Sequence, residues 1–209
     1  MAQDLMKFAY RIQTKRLVIR CWDPRDAPLL KKAIDESLEH LRPWMPWANQ
    51  EPEPVEAKAA RLRKFRGSFD LDKDYIYGIF NLDETQVIGG TGLHTRAGKN
   101  ALEIGYWIHA GHINQGLATE VAAALTRVAF EVNRVDRVEI HCDPENVRSA
   151  KIPEKLGFVM EAVLRNRTTT SQGDPRDTMI WSMFADEYDG SVPGKTDLAA
   201  FDVLGDQLL

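Results

Sequence analysis

The chain has 209 residues, enough for one domain with a sizeable core. Its 27 Lys and Arg stand against 31 Asp and Glu, a net charge of −4, which argues against a nucleic-acid partner. No stretch is long and apolar enough for a signal peptide or a membrane span. Cys21 and Cys142 are too far apart for metal-ligand spacing, so the expectation is a soluble cytoplasmic protein with reduced thiols and no metal.

Arg16 to Trp22 reads as a first strand. A helix from the Asp23-Pro24-Arg25-Asp26 run, capped by Asp26, is expected to reach about His40. Pro43, Pro46, Pro52 and Pro54 then forbid helix until Val55, where a second helix begins with a basic run, Arg61 to Arg66, read as a solvated face. Tyr75 to Asn81 and Gln86 to Leu93 form an antiparallel pair, followed by a polar loop from His94 to Asn100. Glu103 to Ile108 (EIGYWI), rich in β-branched and aromatic residues, is a strand. From Ala118, apolar residues at 118, 121, 122, 125, 128, 129 and 132 mark a helix. Arg137 to Cys142 is a strand and Asn146 to Leu156 a helix ended by Gly157. Phe158 to Arg165 and Thr178 to Phe184 pair across a Ser-Gln-Gly-Asp-Pro turn beginning at Ser171. The domain is expected over residues 1–185, with 186–209 a weakly patterned tail that packs on the surface or on a partner, a homodimer left open.

The stretch that organises this order is Glu103 to Val132. Gln115, Gly116, Leu117, Ala118 and Thr119 stand where a loop becomes a helix, so their backbone N–H groups lie at the positive end of the helix dipole. That is an anion site suited to a pyrophosphate. Gly116 permits close approach of a ligand to the backbone.

INQGLAT (Ile113 to Thr119) resembles the acyl-CoA pyrophosphate loop of the GNAT superfamily of N-acetyltransferases, with Gly116 and Ala118 at marked positions and Ile113 departing at the first. HLRPWMPWA (from His40), EIGYWI, QGLATEV and NVRSAKIPEKLGF (from Asn146) resemble the branch that holds the ribosomal-protein N-terminal acetyltransferases RimJ and RimL, and the likeness covers about residues 14 to 185. It implies an α/β (α+β) GNAT fold: a mixed, mostly antiparallel sheet, helices on both faces and a splayed central strand pair. It also implies acetyl-CoA as cosubstrate, direct transfer to a primary amine, and a protein N-terminus as acceptor.

By the same resemblance Trp107, Ile108 and His109 supply the strand edge and a donor for the thioester carbonyl. Asn146 contacts the cofactor arm, and Ser149 protonates the leaving thiolate. The bland reading of Asn146 and Ser149 is a helix cap. Glu103 is the candidate base. The further carboxylate of RimL-like members falls at or near Thr168, which cannot serve, and His94, His109 and His112 titrate in the right range. An α-amine, with a pKa of about 8, is roughly one-tenth neutral at pH 7, whereas a lysine amine is almost wholly protonated, so a weak base suits an α-amine. Arg42, Trp44 and Trp47 are expected to shape the acceptor cleft. Two other readings stand beside this one: a small-amine acetyltransferase (aminoglycoside or polyamine), and a non-catalytic acyl-CoA-binding module. Neither a P-loop nor a dinucleotide fingerprint is present.

Overall fold

The computed structural model describes residues 8–170 and 172–209; Ser171, the first residue of the expected turn, lies outside them. Among the described residues nine strands form one sheet: β1 (Arg11–Gln13), β2 (Leu17–Cys21), β3 (Tyr75–Asn81), β4 (Val87–His94), β5 (Ala101–Ile108), β6 (Arg137–Cys142), β7 (Val159–Thr169), β8 (Pro175–Phe184) and β9 (Ala199–Phe201). Their spatial order is β7-β8-β6-β5-β4-β3-β2-β1-β9. Only β5 and β6 run parallel, joined by the crossover helix α4 (Leu117–Glu131) that a parallel pair requires.

The parallel pairing starts at Ala101 opposite Arg137 and stops at Ile104 opposite Ile140. Beyond it β5 continues to Ile108 against β4, and β6 continues to Cys142 against β8. The two central strands therefore part, as the expected fold class requires. A close approach helps seat β5 on β4: a Cβ added at Gly90 would stand 2.6 Å from Trp107 Nε1.

Helices cover both faces. On one, α4 and α5 (Val147–Leu156) bury Val121, Leu125, Val128 and Leu156 against Ile19, Tyr77 and Ile104. On the other, α1 (Ala27–Asp35) and α3 (Val55–Asp70) bury Leu30, Ile34 and Leu62 against Val18, Trp22 and Phe80. Among the described residues no helix is long and apolar enough to cross a membrane.

The expected helix to His40 is two helices, α1 and α2 (Leu38–Leu41). The break has a tertiary cause: buried Ser37 turns its Oγ away to accept the Ala110 N–H at 3.0 Å. The cap is also corrected. Asp23, not Asp26, caps this segment by accepting the Arg25 N–H at 2.8 Å, while Asp26 reaches back to the Asp23 N–H as the second half of a capping box. The basic run of α3 is only partly a solvated face, since Arg61 turns inward to Glu53 at 2.7 Å. Fully buried Lys58 of the same helix pairs with Glu51 and with Glu53, which ties the proline-rich loop to α3.

The segment after residue 185 forms the short helix α6 (Ala185–Tyr188) and the edge strand β9, which pairs antiparallel with β1. Tyr188 packs tilted against Phe130 with ring centroids 4.8 Å apart, and Arg127 donates to the Thr196 carbonyl at 2.6 Å. The tail is thereby strapped along α4.

Candidate active site

A cleft of about 730 Å³ opens on the α1/α3 face where β5 and β6 separate. Its apolar wall comes from Trp22, Ile34, Phe65 and the loop tryptophans Trp44 and Trp47, and its floor from Gly105, Tyr106 and Trp107. Asn146, the N-cap of α5, and Ser149 within it stand on the opposite bank with Cys142. Trp47 meets Trp107 edge to face at 6.1 Å, so the proline-punctuated loop is packed directly onto the central strand. Arg42 is not among the lining residues; it donates to the Glu51 carbonyl at 3.2 Å and braces the loop from behind.

On the α5 bank, Asn146 Oδ1 accepts the Ser149 N–H at 3.2 Å, so the capping reading of this pair holds. It leaves the Ser149 hydroxyl free for another partner, the phenol of Tyr106 at 3.2 Å. Burial raises the Tyr106 phenol well above its ordinary range, against the Ser149 hydrogen bond, so it stays protonated. Burial also pushes the Cys142 thiol up to about 11. Tyr106 carries no assigned role in the sequence reading, yet strand alternation could have found it. It shares a face with buried Ile104 and Ile108, the face on which α5 packs.

The polar end of the cleft is an ion-pair network. Arg96 grips Glu103 with two bonds of 2.6 and 2.7 Å. Burial alone would raise the Glu103 carboxyl, but Arg96, with the charges of His141 and His94, holds it below the usual carboxylate range. His141 lies between Glu139 at 2.6 Å and Glu103 at 3.5 Å. His94 is held through Nδ1 by Asp74 at 2.9 Å. Thr168 lines the cleft and its hydroxyl accepts from Arg176 at 3.3 Å, so no carboxylate stands at that position.

The loop before α4 lies apart from the walls of this cleft. Asn114 and Gly116 have φ of +60° and +75°, and the helix has no side-chain cap, so its first N–H groups are offered to a ligand. Gly116 is required by its backbone, not by crowding: an added Cβ would meet only Arg16, at 3.8 Å. Arg16 fastens the loop from outside, bonding Glu120 at 2.6 Å and the Gln115 carbonyl at 2.9 Å. Leu117 is buried, Ala118 and Thr119 half-buried. Ile113 packs on the core, which accounts for an apolar residue there. This exposed, uncapped turn fits a pyrophosphate.

His109 is not brought to the cleft. Its N–H bonds the Ile88 carbonyl at 2.8 Å, and its buried ring joins Glu36 at 3.0 Å to the Gly111 N–H at 3.0 Å. His112 is also absent from the lining; burial lowers it, and His109 beside it adds to the effect. Among the described residues no group of three or more His, Cys, Asp or Glu is placed to hold a metal ion.

Residues 16–159 match the acetyltransferase (GNAT) domain family. The [Ribosomal protein uS5]-alanine N-acetyltransferase of Escherichia coli (strain K12) is 27% identical over 158 residues, 75% of this chain and 81% of that protein. The probable N-acetyltransferase YjcK of Bacillus subtilis (strain 168) is 28% identical over 113 residues, which span 53% of this chain and 62% of that protein. Among solved structures, RimL, a ribosomal L7/L12 α-N-protein acetyltransferase in complex with coenzyme A, superposes with a TM-score of 0.75 at 19% identity, covering 83% of this chain and 97% of that one.

Proposed function

The chain belongs to the GNAT family of acetyltransferases and is an N-acetyltransferase; from that premise we propose that it moves an acetyl group from acetyl-CoA directly to the N-terminal α-amine of a protein or peptide. The observation that carries this reading is the parting of β5 and β6 with the Ser149–Tyr106 pair on one bank. That arrangement offers a free strand edge to an extended ligand and a proton donor at its end. A relative that acetylates a ribosomal protein and a neighbour with coenzyme A bound support the acceptor and the donor.

Bound acetyl-CoA supplies the activated acyl carbon and its thiolate leaving group. The N–H groups from Leu117 to Thr119 hold the pyrophosphate, and the edge of Trp107 and Ile108 aligns the arm beside Asn146. Ser149 delivers a proton to the departing sulfur, with Tyr106 behind it. A Cys142 thiol raised to about 11 stays protonated near neutrality and is a poor nucleophile, which supports transfer without an acyl-enzyme. Glu103, ionised at the polar end of the cleft, is held there by Arg96 through both oxygens. Trp44 and Trp47 shape the acceptor side.

The cleft carries Arg61, Arg96, Arg167 and Arg176 against Glu103 and Asp143, the wrong sign for a polyamine. Both cysteines are free, in keeping with action in the cytoplasm. The test is thiol release from acetyl-CoA against N-terminal peptides, polyamines and aminoglycosides. Release with peptides, lost when their α-amine is blocked, is the expected result. Release only with small amines would move the acceptor, and tight acetyl-CoA binding without any release would reject the proposed transfer.

A further inference from the structure

Acceptor amines arrive mostly protonated, so the transfer calls for a base on the acceptor side of the cleft, and the carboxylates there are already engaged, Asp143 by Arg176 at 3.5 Å and by the Glu145 N–H at 2.8 Å. Glu103 is bound through both oxygens to Arg96. His141 has a carboxylate opposite each ring nitrogen. Thr168 has no carboxylate to offer. His94 differs. Its ring is only 15% exposed, and Asp74 accepts from Nδ1 at 2.9 and 3.1 Å, which leaves the lone pair on Nε2. Nε2 lies over two glycines: Cβ atoms added at Gly92 and Gly105 would stand 2.7 and 3.3 Å from it. Gly105 is the first residue of β5 past the last parallel pair. The imidazole therefore looks into the cleft at the point where the strands part, over a floor with no side chain in the way.

We propose that His94, oriented by Asp74, is the general base that takes the proton from the acceptor amine. The inference rests on the transfer reading above. The ammonium gives one proton to Nε2, from which it passes to solvent. The freed nitrogen pair forms the C–N bond as the C–S bond breaks. The sulfur leaves with the pair of the broken C–S bond and takes a proton from the Ser149 hydroxyl, which the second nitrogen proton restores. His94 is the catalytic residue and Asp74 a positioning residue. Charged and titratable groups facing His94 are Asp74 from the turn before β3, Arg96 from the turn after β4, Glu103 from β5 and His141 from β6.

The experiment compares His94→Gln and Asp74→Asn with the parent protein, using acetyl-CoA and a peptide acceptor, across pH. His94→Gln should lower kcat/KM about 100-fold or more and erase the acid limb, leaving acetyl-CoA affinity within about two-fold. Asp74→Asn should cost less and displace the acid limb toward lower pH, because an amide no longer favours the charged ring. Independently of turnover, ¹⁵N spectra of the histidine rings should show His94 as the Nδ1–H tautomer in the parent and a changed ratio in Asp74→Asn. A His94→Gln protein that keeps the acid limb, or an Nε2–H tautomer in the parent, overturns the assignment. Should His94→Gln fail to fold by thermal melting, Asp74→Asn and the spectra decide. A parent protein that turns over no amine sinks the transfer reading itself, whereas an active parent with an unaffected variant sinks only the base.

Discussion

Ser149 and Tyr106, the pair proposed to deliver the proton, lie 3.2 Å apart, and their contributions should not add. Ser149→Ala is expected to lower turnover about 100-fold with acetyl-CoA affinity within about two-fold. Tyr106→Phe should cost less, and the double variant no more than Ser149→Ala. Equal loss of turnover and affinity would mark Ser149 as a cap of α5 and nothing else. Glu103 makes a prediction about acid. Its folded carboxyl is held below the ordinary 4.5, so the stability it contributes is complete above that pH and drains away as pH falls through the folded value. Urea midpoints should therefore drop more between about pH 5 and pH 3 in the parent than in Glu103→Gln, which has no proton to gain there. The sequence points to Ser149 and Glu103 through motif and strand position. It does not show Tyr106, His94 or Asp74 as partners, because those pairings join β5 to α5 and β4 to the turn before β3, contacts that periodicity along one element does not encode.

The loop carrying Trp44 and Trp47 is held by Lys58 of α3, fully buried with fully buried Glu51. Lys58→Met would leave buried Glu51 with only Arg61 at 3.4 Å and the Glu53 N–H at 2.9 Å, and should destabilise the protein by about 3 kcal/mol, with Lys58→Met/Glu51→Gln recovering much of the loss in the same denaturation assay. Replacing both tryptophans by alanine should raise the acceptor KM and leave acetyl-CoA affinity near normal; the reverse would remove the loop from the acceptor side. At this scale the sequence is informative where a pattern is local. β3 and β6 occupy the expected residues, and Gly157 ends α5 at φ +85°. The break at Ser37 was not legible, since its cause is the N–H of Ala110. β1 and β9, three residues each, are too short to show an alternation.

Across the whole molecule, the segment after residue 185 completes the sheet. Ala200 is fully buried, and Leu198, Leu208 and Leu209 pack on the main core. Deleting residues 198–209 should lower Tm by about 5 °C or more and leave the β1 edge unpaired, so light scattering should detect association. The resemblance of four motifs in order carried the architecture, while the order of the expected elements alone pointed only to a mixed α/β sheet.

Arg16 binds Glu120 and the Gln115 carbonyl, partners 104 and 99 residues further along the chain. During synthesis, at about 5–20 residues per second, this arginine is therefore made several seconds before anything it will grip. Until α4 leaves the ribosome the nascent chain has Arg16 but not the loop proposed to seat the donor molecule. The proposed seat can therefore be completed only late in synthesis, once Arg16 has α4 to grip.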